Sequence, residues 1–111
     1  MSVDASARIG YGYIISSDEH QNYMNKIENI NDANYMTLED YFCDINSYAA
    51  DSDVFCGLTL SSTDYYEPIN MNMSREIDLK DWEDFINLFK KEFPEIAASE
   101  TPQMYLFCEW W

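Results

Sequence analysis

The spacing of apolar residues along the chain predicts several short strands. Residues 7–15 are rich in β-branched and aromatic side chains, which favour a strand. A largely apolar run predicts a buried strand over 54–60, and the segment from Met104 to Trp110 predicts a final strand. Apolar residues alternate with asparagines over 69–73, which predicts a further strand that lies at a sheet edge because a proline precedes it.

Apolar residues at intervals of three and four predict three helices between these strands. The first begins with a capping box, in which Glu19 follows Ser16 by three residues. The second covers 37–49, where six apolar residues form one stripe. The third begins at the N-cap Asp78, has a long aromatic stripe and ends at Pro94.

This order of elements predicts an α+β fold, with three helices on one face of a mostly antiparallel four-stranded sheet. We expect a single domain over residues 1–111, and a ferredoxin-like topology with an inserted second helix is one candidate arrangement. Gly10 and Gly12 lie two residues apart, so they leave one face of the first strand bare. Another backbone or side chain is expected to approach closely there.

The charge of the chain is strongly negative and unevenly distributed. Its 111 residues include 21 acidic and 6 basic ones, for a net charge of -15, and residues 27–74 contain no Lys or Arg. Such a protein is repelled by nucleic acids and anionic membranes and attracted by basic proteins. Because a net charge of about 2 to 8 keeps a small domain soluble, we interpret the excess as a functional anionic face. The alternative, that the acids only solubilise the protein, stays open.

Several acids of the central segment have a spacing that is typical of nucleic-acid phosphates. On the predicted second helix, Asp40 and Asp44 are one turn apart, or about 6 Å along the axis, similar to the phosphate spacing along a DNA strand. Tyr65 and Tyr66 lie between two further acids and are candidate aromatic anchors. The predicted partner-binding residues are Glu39, Asp40, Asp44, Asp51, Asp53, Asp64, Tyr65, Tyr66 and Glu67.

The sequence contains no recognisable catalytic motif. Its single histidine, His20, has no nucleophile at a diagnostic spacing, and its three cysteines form no C-x-x-C pair. We therefore expect no catalytic residue, no metal site and no cofactor, and we interpret the chain as a non-enzyme. The sequence also shows neither a signal peptide nor a membrane span, so we expect a cytoplasmic protein.

In size, charge and predicted α+β fold, the chain resembles the small acidic inhibitors that phages and mobile elements encode. These include anti-CRISPR and anti-restriction proteins, some of which act as DNA mimics. The resemblance implies a non-enzymatic protein that binds the basic nucleic-acid-binding groove of a nuclease or CRISPR effector and contacts neither nucleic acid nor membrane itself.

Two alternatives stay open beside this interpretation. The chain is similar in the same respects to immunity proteins that neutralise basic nuclease toxins. It is also compatible with a small enzyme or ligand-binding domain whose acids only solubilise it. The apolar C-terminus, from Phe107 to Trp111, leaves room for a homodimer contact.

Overall fold

A computed structural model describes residues 5–45, 53–64 and 78–110 as an α+β fold, as the sequence predicts. The elements are β1 (Ala5–Ile15), α1 (Ser17–Glu28), a 3-10 turn (Glu39–Tyr41), β2 (Phe42–Asp44), β3 (Val54–Asp64), α2 (Leu79–Glu92), α3 (Pro94–Ser99) and β4 (Gln103–Trp110). The longest helix in these ranges, α2, has 14 residues. None of the described helices has the length and apolar character that crossing a bilayer requires.

The four described strands form one antiparallel sheet in the order β2-β3-β1-β4. This strand order, with helices in the two crossovers, is that of a ferredoxin-like topology. It is built from other elements than the sequence predicts, because the second strand is the unpredicted β2 and the predicted second strand over 54–60 is the third, β3. Between α1 and β2, however, the chain contains a 3-10 turn where the sequence predicts an inserted helix. The predicted strand over 69–73 lies outside the described residues.

Local capping signals set where the two longer helices begin. The Ser16 hydroxyl accepts a hydrogen bond from the Glu19 amide at 3.1 Å, which confirms the predicted helix start. The same hydroxyl donates to the Glu19 carboxylate at 3.0 Å, in place of the bond from the Ser16 amide that a full capping box has. The Asp78 carboxylate accepts a hydrogen bond from the Lys80 amide at 2.8 Å at the start of α2. Pro94 follows the end of α2 and occupies the first turn of α3, where its missing N–H costs nothing.

The predicted helix over 37–49 is wrong for residues 37–45, and the remainder lies outside the described residues. Residues 39–41 make one 3-10 turn, and Phe42 then begins an extended segment that pairs with Cys56 of β3. The three-four spacing of the apolar residues favours a helix, but tertiary contacts can override such a pattern. Here the edge of β3 supplies hydrogen-bond partners, and the aromatic and β-branched residues of the segment favour the strand.

The helices pack on one face of the sheet and form the main core. Phe85 and Phe89 of α2 are fully buried, and the ring of Phe89 stacks on Tyr13 of β1 with 4.1 Å between ring centroids. Leu38 is also fully buried, and its amide donates a hydrogen bond to the Tyr23 hydroxyl at 2.9 Å. This bond attaches the segment before β2 to α1, which fixes where the 3-10 turn lies.

The opposite face of the sheet accommodates one aromatic ring over glycines, as the bare face of β1 predicts. The ring of Phe55 is fully buried, and a Cβ placed on Gly57 would lie 2.8 Å from its Cζ atom. Gly10 lies under the same ring. Phe107 of β4 packs against Phe55 with 4.9 Å between ring centroids. Cα atoms of the two edge strands, β2 and β4, come within 8 Å of each other, which shows that the sheet is strongly curled.

Candidate protein-binding face

The structure distributes the nine predicted partner-binding residues over three groups. The exposed group lies along the β2 edge of the sheet and comprises Glu39, Asp40, Asp44 and Asp53. A single residue, Asp64, ends β3. The third group lies outside the described residues and comprises Asp51, Tyr65, Tyr66 and Glu67.

The predicted spacing of Asp40 and Asp44 is wrong because no helix carries them. Asp40 belongs to the 3-10 turn and Asp44 ends β2. With about 2 Å of rise per residue in the turn and about 3.3 Å in the strand, their backbones lie on the order of 11 Å apart. This is roughly twice the helical value, so the argument from phosphate-like spacing does not hold for this pair. Asp53 lies across from the end of β2, where its carbonyl accepts a hydrogen bond from the Ile45 amide at 3.3 Å.

Tyr41 lies near carboxylates of two elements, the 3-10 turn and α2. Its half-buried ring packs on Phe85 with 5.1 Å between ring centroids. Burial raises the pKa of Tyr41 above its ordinary value, and the charges of Asp84, Asp81 and Asp40 raise it further. We call these four residues, Tyr41, Asp40, Asp81 and Asp84, the Tyr41 cluster.

Asp81 and Asp84 were missed as binding residues because the sequence assigns them only to the solvent face of α2. On a helix, residues 81, 84 and 88 lie on one flank of the buried stripe formed by Phe85 and Phe89. That flank faces the 3-10 turn. The helical period therefore predicts that Asp81 and Asp84 lie on the same side of α2. It does not predict which segment packs beside them, because that depends on where residues 37–41 fold.

The basic side chains near α2 concentrate at its other end. Lys26 donates to one carboxylate oxygen of Glu92 at 2.9 Å, and the Tyr35 hydroxyl donates to the other at 2.6 Å. The ammonium of Lys91 lies 4.7 Å from the centre of the Tyr35 ring. Asp81 and Glu92 are separated by about 16 Å along the helix axis. These cations therefore lie too far from the Tyr41 cluster to screen it strongly, but Arg8 of β1 lines one pocket together with Asp40 and Tyr41.

One base, Lys80, lies in the first turn of α2 and is one helical turn before Asp84. No ion pair joins these two exposed residues. An exposed pair at this spacing would in any case contribute only a few tenths of a kcal/mol, about 0.3–0.5. The three carboxylates of the cluster thus have two bases nearby, Lys80 and Arg8, which offset part of their charge.

A groove of about 410 Å³ lies between α1 and α3. Its lining is more apolar than the acidic surface around Tyr41. Tyr23, Phe93 and Ile96 line the groove, together with Glu92. Burial tends to raise the pKa of Glu92, but the hydrogen bonds from Tyr35 and Lys26 outweigh it and lower the pKa. Glu92 is consequently ionised at neutral pH and bonded through both oxygens, which suits a structural carboxylate rather than a general acid.

Metal and thiol chemistry have little support in the described part of the chain. No group of three potential ligands from His, Cys, Asp and Glu lies close enough there to hold a metal ion. Cys56 is fully buried, and burial raises the pKa of its thiol far above the ordinary value. This thiol therefore packs as a small apolar side chain. The exposed acids, rather than a buried reactive group, are the chemical feature that distinguishes the molecule.

Comparison of the chain with protein-family models, with curated proteins and with solved structures finds no match. The strand order and the helices in the crossovers define an α+β fold of ferredoxin-like topology. Its candidate site is an anionic face that contains a half-buried tyrosine.

Proposed function

We propose that the chain is a non-enzymatic inhibitor that binds the basic nucleic-acid-binding groove of a nuclease or other defence enzyme through its anionic face. This face comprises the Tyr41 cluster and the exposed acids of the β2 edge, Glu39, Asp44 and Asp53. A groove that binds phosphates is lined by Arg and Lys, so a carboxylate surface competes for the same side chains. The net charge of -15 accelerates the encounter by long-range attraction.

The observation that carries the proposal is the Tyr41 cluster. Carboxylates from two separate elements lie near enough to Tyr41 to raise its pKa, and the Tyr41 ring packs on Phe85. An arginine can lie with its guanidinium against the ring while its N–H groups bind the carboxylates. A purely solubilising surface has no need to bring acids of separate elements near one another, because their repulsion opposes folding.

The immunity-protein alternative uses the same face and differs in its target. An immunity protein binds a basic nuclease toxin that a neighbouring gene encodes, whereas an anti-CRISPR or anti-restriction protein binds a defence enzyme of the host. The gene neighbourhood separates the two. Both require that the carboxylates of the anionic face contact cationic groups of the partner.

Inhibition of DNA cleavage across a panel of basic nucleases and CRISPR effectors tests the proposal. We expect at least one enzyme to be inhibited, with competition by substrate DNA and a steep loss of inhibition as salt rises. The charge-reversed variant Asp40→Lys with Asp84→Lys should weaken inhibition by more than tenfold, or about 1.4 kcal/mol. Both positions are exposed, so the variant should keep the fold.

A matched control makes the same change in net charge elsewhere. Glu28→Lys with Glu95→Lys alters two exposed carboxylates on α1 and α3, away from the Tyr41 cluster. Equal weakening by the two double variants would show that only total charge matters and would contradict a defined binding face. Unchanged inhibition by the Asp40/Asp84 variant would exclude the Tyr41 cluster from the interface.

A further inference from the structure

The groove between α1 and α3 has the volume and the lining of a small-molecule site. Its volume is about 410 Å³, and pockets for small ligands span about 300–1,000 Å³ with an apolar lining and a few polar groups. Phe93 and Ile96 are half-buried, so they leave apolar surface open to the groove. The buried Tyr23 ring lies behind Phe93, with 5.3 Å between the ring centroids. The groove therefore offers a ligand an aromatic and aliphatic surface.

The side chains of α1 that line the groove follow the helical repeat. Glu19, Tyr23 and Lys26 recur at intervals of four and three residues, so they share one side of the helix. Glu19 and Lys26 are separated by about 10 Å along the α1 axis, so they lie at opposite ends of this wall. The other wall consists of residues 92–96, where α2 ends and α3 begins. The acid and the base of α1 therefore face different parts of the groove.

The charge of the groove is negative. Three carboxylates and one ammonium line it. The ammonium of Lys26 lies 2.9 Å from the Glu92 carboxylate, so these two charges largely cancel. Glu19 and Glu95 are exposed, one on each wall, and neither has an ion pair within the described ranges. Both lie in the first turn of a helix, where their full negative charges outweigh a partial positive charge of about half a unit.

We propose that this groove binds a small organic cation, a primary ammonium joined to an apolar group. The apolar group packs on Phe93 and Ile96 and removes their exposed surface from water. The ammonium lies towards the two groove carboxylates, Glu19 and Glu95, and an ammonium close to an aromatic ring gains a further attraction. The same carboxylates repel an anion, and a neutral ligand leaves them without an opposite charge.

The groove is separate from the anionic face and does not depend on the proposed inhibitory function. Asp81 of the Tyr41 cluster and Glu92 of the groove lie about 16 Å apart along the α2 axis. A small cation can therefore occupy the groove while a protein occupies the face. Loss of one kind of binding leaves the other intact, so the two proposals are tested independently.

Amide NMR titration of the full chain with matched small molecules tests the site. Phenethylammonium supplies a phenyl ring and a cation, whereas phenethyl alcohol replaces the cation by a hydroxyl and hydrocinnamate replaces it by an anion. Methylammonium has the charge without the ring. The titrations use about 150 mM NaCl, which screens diffuse attraction to the acidic surface.

We expect phenethylammonium to shift the amides of Asn22, Tyr23 and Ile96 saturably, with millimolar affinity. Phenethyl alcohol should bind at least about threefold more weakly, because it lacks the charge. Hydrocinnamate and methylammonium should give no saturable shift. Absence of saturable binding by phenethylammonium, equal affinity for the ammonium and the alcohol, or shifts confined to the Tyr41 cluster would each overturn the proposal.

Two double variants with the same change in net charge assign the site. Glu19→Gln with Glu95→Gln removes both groove carboxylates and should weaken phenethylammonium binding by about three- to tenfold. Glu28→Gln with Glu83→Gln alters two exposed carboxylates outside the groove and should leave the affinity unchanged. Glu95→Gln alone carries the test if the amide spectrum shows that the first double variant is misfolded. Equal affinities of the groove and control variants would overturn the assignment.

Discussion

Replacing Glu92 by Gln removes a charge that connects α1, α2 and the segment before β2. The Glu92 side chain is 1% exposed and accepts hydrogen bonds from Tyr35 and Lys26. A hydrogen bond to a charged group contributes about 1.5–3 kcal/mol. The Lys26 side chain is 56% exposed, so water largely replaces its bond, and the amide can still accept weakly from Tyr35. We expect Glu92→Gln to lower the free energy of unfolding by about 1–3 kcal/mol.

The pH dependence of this loss identifies the ionised carboxylate as its cause. The pKa of Glu92 is lowered in the folded protein, so its charge stabilises the fold above the ordinary carboxyl pKa. That stabilisation is lost as pH falls through the folded pKa, where Glu92 becomes neutral like the glutamine. Urea unfolding of both proteins at pH 7 and at about pH 3 should therefore show a difference that shrinks towards zero in acid.

Glu83→Gln is the matched control, since it removes an exposed carboxylate of the same helix. Because it reduces the self-repulsion of a highly acidic chain, it should leave stability unchanged or raise it slightly. At about 4 °C per kcal/mol, Glu92→Gln should lower Tm by about 4–12 °C relative to this control. Equal melting of the two variants, or a difference that persists in acid, would refute the role assigned to the Glu92 charge.

Two further predictions concern the sheet and a helix start, both measured by urea unfolding. Gly57→Ala and Gly10→Ala should each destabilise by about 1–3 kcal/mol, because a Cβ at either position meets the Phe55 ring. Phe55→Leu should partly rescue Gly10→Ala but not Gly57→Ala, where the added atom also meets the backbone of β1; equal rescue would contradict this. Asp78→Ala should lower the free energy of unfolding by about 1 kcal/mol, because α2 loses its N-cap. Asp78→Asn should lower it much less, because asparagine can still cap the helix. Equal losses in the two variants would show that the charge of Asp78, rather than its capping bond, is responsible.

The elements with strong local signals could be predicted from the sequence. The Ser16 cap and the Asp78 cap each use a side chain within three residues of the amide it satisfies, so the signal is contained in the local sequence. The aromatic period of α2 and the strand propensity of β1 are also local. The glycine pair of β1 predicted a close approach, which the Phe55 ring makes.

The candidate site could be predicted only in part, because its geometry depends on long-range contacts. Composition and charge pointed to the central acids, but the spacing of Asp40 and Asp44 followed from a helix that does not form. β3 provides a pairing edge for Phe42, and the resulting chain path places Tyr41 beside Asp81 and Asp84 of α2. An apolar stripe predicts which side chains are buried. Whether they are buried as a helix or a strand depends on the partner surface, which distant residues supply.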